Sequence, residues 1–393
     1  MTEGPSSAAV SPPPPPSAAS PAPVSAVAVL RQRLFGTPAA AILHGSLLLA
    51  ALVFLLSVPY FTRDGSEEFF ENVFQHAYVF ILLMAVTVLG RTLPLRMLAA
   101  FFFFGMFTSV LVVQGIGNPL ADMVGSGRML DSVLVPLLEE GAKALPIALV
   151  FLVLVRRGWQ PSITDGLMLG FVLGAGQAIH EDALYVRAYG DGLGEGGLNL
   201  IFPTIGTQST LSRVEVNGFY HSGWGSLIGL AIGASFMLRR FRWAPLIAIA
   251  AFVVAVFDHG IGNFIIINRS LEGAGPLWTL NLDGRLAVYL LIVGIAAAVV
   301  GEVLIQRRMA RVDRTYVGLS TASVLGNLSG GLAGLLRIQA ARVYVRARRA
   351  LHYLLWADRA MKDPRPLILQ ALRIETAASE AGVPISLTVE ETT

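Results

Sequence analysis

The chain has 393 residues, of which 54% are hydrophobic and only 14% are charged, and its net charge is +3. Soluble domains carry about 25% charged residues, so this composition excludes an ordinary soluble domain and indicates a polytopic membrane protein. The chain contains no cysteine, which excludes disulfides, thiolate zinc sites, thiol nucleophiles and iron–sulfur clusters.

The N-terminal segment, residues 1–30, is rich in Pro, Ser and Ala and contains a run of prolines at Pro12–Pro16. It has neither the basic start nor the apolar core of a signal peptide. This composition predicts a disordered cytoplasmic tail, with a ligand for an SH3-type domain as the alternative.

Hydropathy predicts an all-α fold, a bundle of about eight transmembrane helices within residues 31–306. Apolar runs of sufficient length lie near residues 39–60, 72–90, 95–114, 131–155, 163–186, 217–238, 243–264 and 284–306. Every second connection is basic, with arginines at Arg31, Arg33, Arg91, Arg96, Arg156, Arg157, Arg239, Arg240, Arg242, Arg307 and Arg308. The positive-inside rule therefore predicts a multi-pass protein of the inner membrane with both termini in the cytoplasm.

The region that follows the last run, residues 307–375, is basic and has apolar residues at helical spacing. We expect one or two amphipathic helices that rest on the anionic cytoplasmic leaflet, with a protein-docking module as the alternative. Residues 376–393 are expected to form a C-terminal tail.

Two adjacent glutamates, Glu139 and Glu140, lie inside the fourth apolar run and are followed by Lys143. Ionised side chains in a membrane span cost roughly 2.5–3.5 kcal/mol each on insertion, so they indicate a functional site. Because Lys143 is four residues after Glu139, we expect these two to form an ion pair. Glu140, about 100° round the helix, is then available for chemistry. A purely structural ion pair is the competing interpretation.

Polar residues on three later runs are predicted to lie at a similar depth. In the predicted orientation the two glutamates are about 12–14 Å below the outer end of the fourth run. The outer halves of the fifth, sixth and seventh runs contain Glu181, His221 (about one turn into its run), Asp258, His259 and Asn263. Four helices therefore bring ionisable or polar groups to one level of the membrane, which favours a shared site over isolated packing residues.

Small residues repeat at every fourth position on the fifth and sixth runs. One ribbon comprises Gly166, Gly170, Gly174 and Ala178, and the other comprises Gly225, Gly229 and Gly233 in register with His221. Small residues at this spacing let helices approach closely. We therefore expect the two runs to pack together and to turn His221 inward.

Two histidines and a carboxylate form a zinc-type ligand set that leaves one coordination position open for water. A further glutamate can take a proton from that water and return it to a leaving amine. The sequence contains no strained nucleophile turn, phosphate loop, dinucleotide fingerprint or His-Glu-x-x-His helix. Taken singly, an intramembrane histidine is more often a hydrogen-bonded residue of helix packing.

These groups resemble, in chain order, the motifs of the PrsW family of intramembrane proteases, and more distantly the CAAX-processing and bacteriocin-immunity protease superfamily. The motifs are Glu139-Glu140-Gly-Ala-Lys143, then Gly170 to Gly174 leading to Glu181-Asp-Ala-Leu-Tyr185, then His221 followed by Gly229, and His259-Gly-Ile-Gly-Asn263. The resemblance covers about residues 130–265. Lys143 favours PrsW over the CAAX branch, and Asp182 stands where the PrsW pattern usually has Asn.

The resemblance implies a membrane protease that cuts single-span membrane proteins, such as anti-sigma factors, on the outer side. It implies an active-site set of Glu139, Glu140, Glu181, His221 and His259. The metallopeptidase class of the family implies Zn²⁺ or another divalent metal as cofactor. A metal-free site, with glutamate-activated water and histidine oxyanion donors, uses the same residues. Nothing in the sequence indicates a nucleic-acid partner.

The leading hypothesis is therefore peptide hydrolysis within a membrane. Its roles are Glu140 as general base, His221 and His259 as metal ligands or oxyanion donors, Glu181 as third ligand, Glu139 held by Lys143, and Asn263 orienting His259, with Asp258 a candidate orienting residue. One alternative is an ion- or proton-coupled transporter, which predicts inverted repeats that the sequence does not display. The other is a non-catalytic scaffold that binds a partner helix.

Overall fold

Helices account for nearly all of the described secondary structure in the computed structural model. The structure describes residues 38–62, 66–117, 119–120, 123, 128–189, 207–209, 216–218, 221–268, 275–282, 286–312 and 331–357. The predicted tails, residues 1–30 and 376–393, lie outside these ranges. The chain divides into two units, residues 1–45 and 46–393. The described part of the first unit is helical, and the contacts reported below belong to the second unit.

The helices coincide with the predicted apolar runs, so the all-α prediction is confirmed for the described residues. They are α1 (Pro38–Phe61), α2 (Ser66–Val86), α3 (Leu95–Val112, continued by a π-helical turn at Val113–Gly117), α4 (Arg128–Arg156), α5 (Ile163–Tyr189), α6 (His221–Met237), α7 (Ala244–Asn268), α8 (Gly275–Leu280), α9 (Leu286–Val312) and α10 (Gly331–Ala357). The eight runs correspond to α1 through α7 and to α9.

Among the described residues, two helices are long and apolar enough to cross a membrane, through the segments Ala244–Ile265 of α7 and Leu286–Met309 of α9. Shorter apolar segments occupy His44–Tyr60, Asn72–Val86 and Leu95–Phe107. Large apolar side chains on several of these helices point outward, as do Leu56 and Val293. An outer surface of this kind is what a helix presents to lipid.

Helix α5 lies at the centre of the packing, between α6 on one side and α3 on another. The glycine ribbons form the contact between α5 and α6. A Cβ atom added to Gly170 would lie 1.8 Å from the carbonyl oxygen of Gly225, and one added to Gly166 would lie 2.1 Å from that of Gly229. The two backbones therefore touch along these residues, which confirms the predicted packing and brings His221 against α5.

We expect a Gly170→Ala substitution to destabilise the protein by about 3 kcal/mol, the upper end of the usual cost of overpacking. The added methyl meets backbone rather than a movable side chain, so the helices must separate to admit it. Thermal unfolding in detergent, followed by circular dichroism, measures the loss. Gly301→Ala is the matched control, because a Cβ on Gly301 of α9 meets nothing within 4 Å. Equal midpoints for the two variants would contradict the close contact.

A short antiparallel hairpin precedes α6 and corrects one prediction. Strand β1 (Thr207–Ser209) pairs with β2 (Val216–Gly218), with Gln208 opposite Asn217. The predicted sixth run begins at residue 217, but this residue belongs to β2. His221 is consequently the first residue of α6 and not a residue one turn inside it. Hydropathy misses the boundary because the hairpin residues adjoin an apolar helix.

Helix α10, from the predicted basic region, docks against the rest of the protein. Tyr353 and Ala357 pack with Met237, Ile305 and Met309 in a small apolar cluster. The hydroxyl of Tyr353 donates to the carbonyl of Gly90 at 3.1 Å. The second half of α10 is therefore attached to the ends of α6 and α9 and to the connection between α2 and α3.

The beginning of α5 is tied to the same connection by a buried carboxylate. Asp165 accepts hydrogen bonds from the backbone N–H groups of Thr92, Leu93 and Ser162, at 2.8 to 3.0 Å. Glu302 of α9 accepts from the N–H and hydroxyl of Thr164, both at 2.8 Å. These bonds satisfy backbone donors at a helix start, so they fix the end of α5 that is farther from Glu181.

Candidate active site

Four helices bring polar side chains, most of them buried, together at one place in the bundle. Helix α4 contributes Glu139, Glu140 and Lys143; α5 contributes Gln177 and Glu181; α6 contributes His221 and Trp224; and α7 contributes Asp258 and His259. The rings of His221 and His259 meet edge to face with their centroids 5.0 Å apart. The predicted convergence of the fourth to seventh runs is thus present in the structure.

The ion pair of Lys143 differs from the predicted one. Its Nζ atom donates to Oε1 of Glu140 at 2.6 Å, so the partner is three residues away and not Glu139, four residues away. The same ammonium group donates to Nδ1 of His221 at 3.1 Å. Positions three and four residues apart are both neighbours on a helix. Lys143 pairs with the nearer of these two positions, Glu140, and contacts His221 from the same ammonium group.

His259 is held by the same carboxylate. Its Nδ1–H donates to Oε1 of Glu140 at 2.9 Å, which leaves Nε2 facing Glu139. The orientation of His259 by Asn263 stays a prediction, and the carboxylate that accepts from Nδ1 is Glu140. A carboxylate at one ring nitrogen fixes both the tautomer and the ring direction, as in the carboxylate–histidine pairs of metal sites.

Glu139 lies between the two histidines. Its Oε2 atom is 3.8 Å from Nδ1 of His221 and 3.9 Å from Nε2 of His259. One ligand atom from each of these three residues lies within 4.8 Å of the other two, and all three residues are buried. The sequence predicts Glu181 as the third ligand, and this stays a prediction: its Oε2 atom lies 2.5 Å from Nε2 of His221, while Glu139 is the carboxylate grouped with both histidines.

Comparison with known families matches residues 93–300, more than half of the chain, to the PrsW family intramembrane metalloproteases. The chain belongs to the PrsW family. The match extends from the start of α3 into α9 and includes every residue of the four-helix cluster. Comparisons with curated proteins and with solved structures give no match. The resemblance seen in the sequence is confirmed, and the chain is a membrane protease by family.

In this PrsW protein, Trp224 supports His259 from the side. The two rings are stacked, with centroids 4.2 Å apart and planes inclined by 13°. The indole N–H of Trp224 donates to Oδ2 of Asp258 at 2.6 Å, and Asn281 of the segment after α8 donates to the other oxygen. Asp258 therefore acts on His259 through the indole ring, by fixing the surface on which the imidazole lies.

Gln177 was not among the residues proposed from sequence. Its amide nitrogen donates to Oε2 of Glu139 at 2.7 Å, and its side chain is buried. The signal was present, because Gln177 is four residues before Glu181 and so lies on the same face of α5. A neutral amide is less unusual in a membrane helix than a charge, so the sequence alone does not distinguish Gln177 from a packing residue.

The residues fit a divalent metal by their chemistry. Two imidazole nitrogens and one carboxylate oxygen match the donor set of catalytic zinc sites, and Glu140 provides the carboxylate that such histidines usually contact. Lys143 donates to Nδ1 of His221, so a metal at that nitrogen would replace this hydrogen bond. The ammonium group keeps its partner Glu140 in either case.

Proposed function

We propose that this chain is a metal-dependent peptidase that hydrolyses peptide bonds of membrane-protein substrates near the outer face of the membrane. The proposal rests on three buried side chains, those of Glu139, His221 and His259. One ligand atom from each lies within 4.8 Å of the other two. This donor set leaves room for water and for a substrate carbonyl. Membership of a metalloprotease family supports the same conclusion.

Glu139, His221 and His259 are the residues that would hold the metal. A metal such as Zn²⁺ supplies a Lewis acid that polarises the scissile carbonyl and makes a water molecule nucleophilic at neutral pH. Glu140 orients His259 through Nδ1, and Gln177 orients Glu139 through Oε2. Lys143 compensates the buried charge of Glu140.

We assign the proton transfer to Glu181. Its side chain is 22% exposed, whereas those of Glu139 and Glu140 are 5% and 0% exposed, so it is the most accessible carboxylate of the three. Its Oε2 atom lies 2.5 Å from Nε2 of His221, at the edge of the cluster. A carboxylate there can take the proton of the attacking water and return it to the leaving amine.

The proposed topology has eight spans with both termini in the cytoplasm. The coincidence of the eight apolar runs with α1–α7 and α9 supports the number of spans, and the arginines of alternate connections support the orientation. In this orientation the cluster lies in the outer half of the membrane. The substrate is then an extended segment of a single-span protein, unwound near the outer surface so that its peptide bond is accessible.

Metal removal tests this function. We expect reconstituted protein to cleave a fluorescent single-span reporter, and dipicolinate, a chelator, to reduce the rate about a hundredfold or more. Zn²⁺ added in small excess should restore the rate. Isophthalate, which has the same two carboxylates and no chelating ring nitrogen, is the matched control and should have no effect. Unchanged turnover by metal-free protein would instead favour water activated by glutamate with histidine oxyanion donors.

A further inference from the structure

A second group of charged side chains lies near the start of α5, away from the protease cluster. Asp165 marks this end, and it is 12 residues before Gln177 along the helix, which corresponds to about 18 Å. Five arginines of three segments meet there, and we call them the arginine cluster: Arg91 of the α2–α3 connection, Arg96 of α3, and Arg342, Arg346 and Arg349 of α10.

Arg342, Arg346 and Arg349 lie three or four residues apart on α10 and so share one face, and Arg349 contacts the α2–α3 connection. Burial lowers the pKa of Arg346, and repulsion by Arg91, Arg96 and Arg342 lowers it further. Burial likewise lowers the pKa of Arg91, and Arg349 adds to this effect. Concentrated positive charge of this kind is unfavourable unless an anion neutralises it.

Within the described ranges, no carboxylate forms a salt bridge with Arg91, Arg96, Arg342 or Arg346. The acid that acts on both Arg91 and Arg346 is Asp165. Its oxygens already accept hydrogen bonds from the backbone of the α2–α3 connection and of α5. The charge of these four arginines is therefore left largely uncompensated by the described part of the chain.

The cluster is held in position by the docking of α10. Arg349 donates through Nη1 to the carbonyl oxygens of Val88, at 2.7 Å, and Arg91, at 3.3 Å. Tyr353 adds its bond to the carbonyl of Gly90. Helix α10 and the α2–α3 connection thus form one preorganised surface, which lowers the cost of binding a ligand.

Apolar side chains border the arginines. Val88 is 53% exposed, Leu89 is 57% exposed and Leu95 is 53% exposed, and Val343 of α10 is exposed beside Arg342. A free phosphate ion has no apolar part that could cover these side chains. A phospholipid uses both, because its phosphate contacts the guanidinium groups while its acyl chains cover the apolar residues.

We propose that the arginine cluster binds the headgroup phosphate of an anionic phospholipid, with the exposed residues of the α2–α3 connection and α3 covered by its acyl chains. Arginine suits this ligand because its planar guanidinium group donates two parallel hydrogen bonds to phosphate oxygens. The site attaches α10 to the membrane through the same connection that Asp165 ties to α5. This binding is independent of the peptidase activity.

Lipid titration of the purified full chain in a neutral detergent tests the site. We expect dioleoyl phosphatidylglycerol to raise the thermal unfolding midpoint, while dioleoyl phosphatidylcholine and inorganic phosphate leave it unchanged. In an Arg342→Gln/Arg346→Gln variant, the apparent affinity for phosphatidylglycerol should fall about 30-fold, from roughly 1 kcal/mol per basic residue. Lysine at both positions should lose only a few-fold.

The matched control is an Arg156→Gln/Arg242→Gln variant, which removes the same charge from exposed positions at the end of α4 and in the α6–α7 connection. We expect its affinity for phosphatidylglycerol to stay within about twofold of the wild type. Equal losses in the two variants would show attraction by net charge alone and overturn the proposal. Stabilisation by inorganic phosphate to the same extent, or no response to phosphatidylglycerol, would overturn it as well.

Discussion

A Glu139→Gln variant should fold normally and lose its peptidase activity by on the order of a thousandfold, the scale of losing one electrostatic stabiliser of a transition state. Glu139 is the carboxylate whose ligand atom lies within 4.8 Å of those of both histidines. Glutamine has the same shape, but its neutral amide is a poor metal ligand. We therefore expect metal content, measured by mass spectrometry of the purified protein, to fall together with the rate of reporter cleavage.

The fold should survive this change because the neighbouring hydrogen bond is kept. Gln177 donates to Oε2 of Glu139, and the amide oxygen of glutamine at position 139 can accept the same bond. Removal of a buried charge also lowers the desolvation cost. Gln177→Leu is the companion variant, and we expect a milder loss, about 10–100-fold, since it removes an orienting contact and not a ligand. Full activity in Glu139→Gln with metal retained would exclude Glu139 as a ligand.

Hydropathy was sufficient to find helices α1–α7 and α9 because each of them coincides with a long apolar run. The glycine ribbons of α5 and α6 were also visible, since close approach of two backbones requires small residues at every fourth position. The start of α6 was not predicted. A hairpin of three-residue strands next to an apolar helix changes the local backbone without changing the hydropathy.

The composition of the site was easier to predict than its internal contacts. Charged residues in apolar runs are rare, so the sequence alone indicates Glu139, Glu140 and Lys143 as candidate site residues. The choice between Glu139 and Glu140 as the partner of Lys143 depends on where His221 and His259 lie. His221 is 78 residues from Lys143, and His259 is 119 residues from Glu140. No spacing rule within α4 contains that information.

The residues that orient the histidines, such as Trp224, could not be predicted from the sequence for a related reason. Trp224 looks like an ordinary apolar residue of a buried helix, and its role appears only from the stacked ring of His259 and the bond to Asp258. Sequence gives the residue types that chemistry needs, whereas the contacts that orient them arise from packing between helices.

Glu140→Gln is expected to destabilise the protein by about 3–5 kcal/mol, the cost of leaving one member of a buried ion pair without its partner. Lys143 is buried and makes its 2.6 Å contact with Glu140, so a neutral amide leaves the ammonium group without a carboxylate at that distance. Chemical unfolding in detergent measures this loss. Glu139→Gln is the matched control, since it changes the adjacent glutamate while keeping the pair.

The double variant Glu140→Gln/Lys143→Met separates stability from chemistry. Removing both charges should restore most of the stability, because replacing a whole buried pair by neutral groups is often close to neutral. His259 still loses the carboxylate at Nδ1, so we expect activity about 10–100-fold below wild type. If Glu140 is instead the general base, as its position in the sequence first indicated, the double variant will be stable and essentially inactive. Residual turnover at the predicted level thus assigns Glu140 to orientation and leaves proton transfer to Glu181.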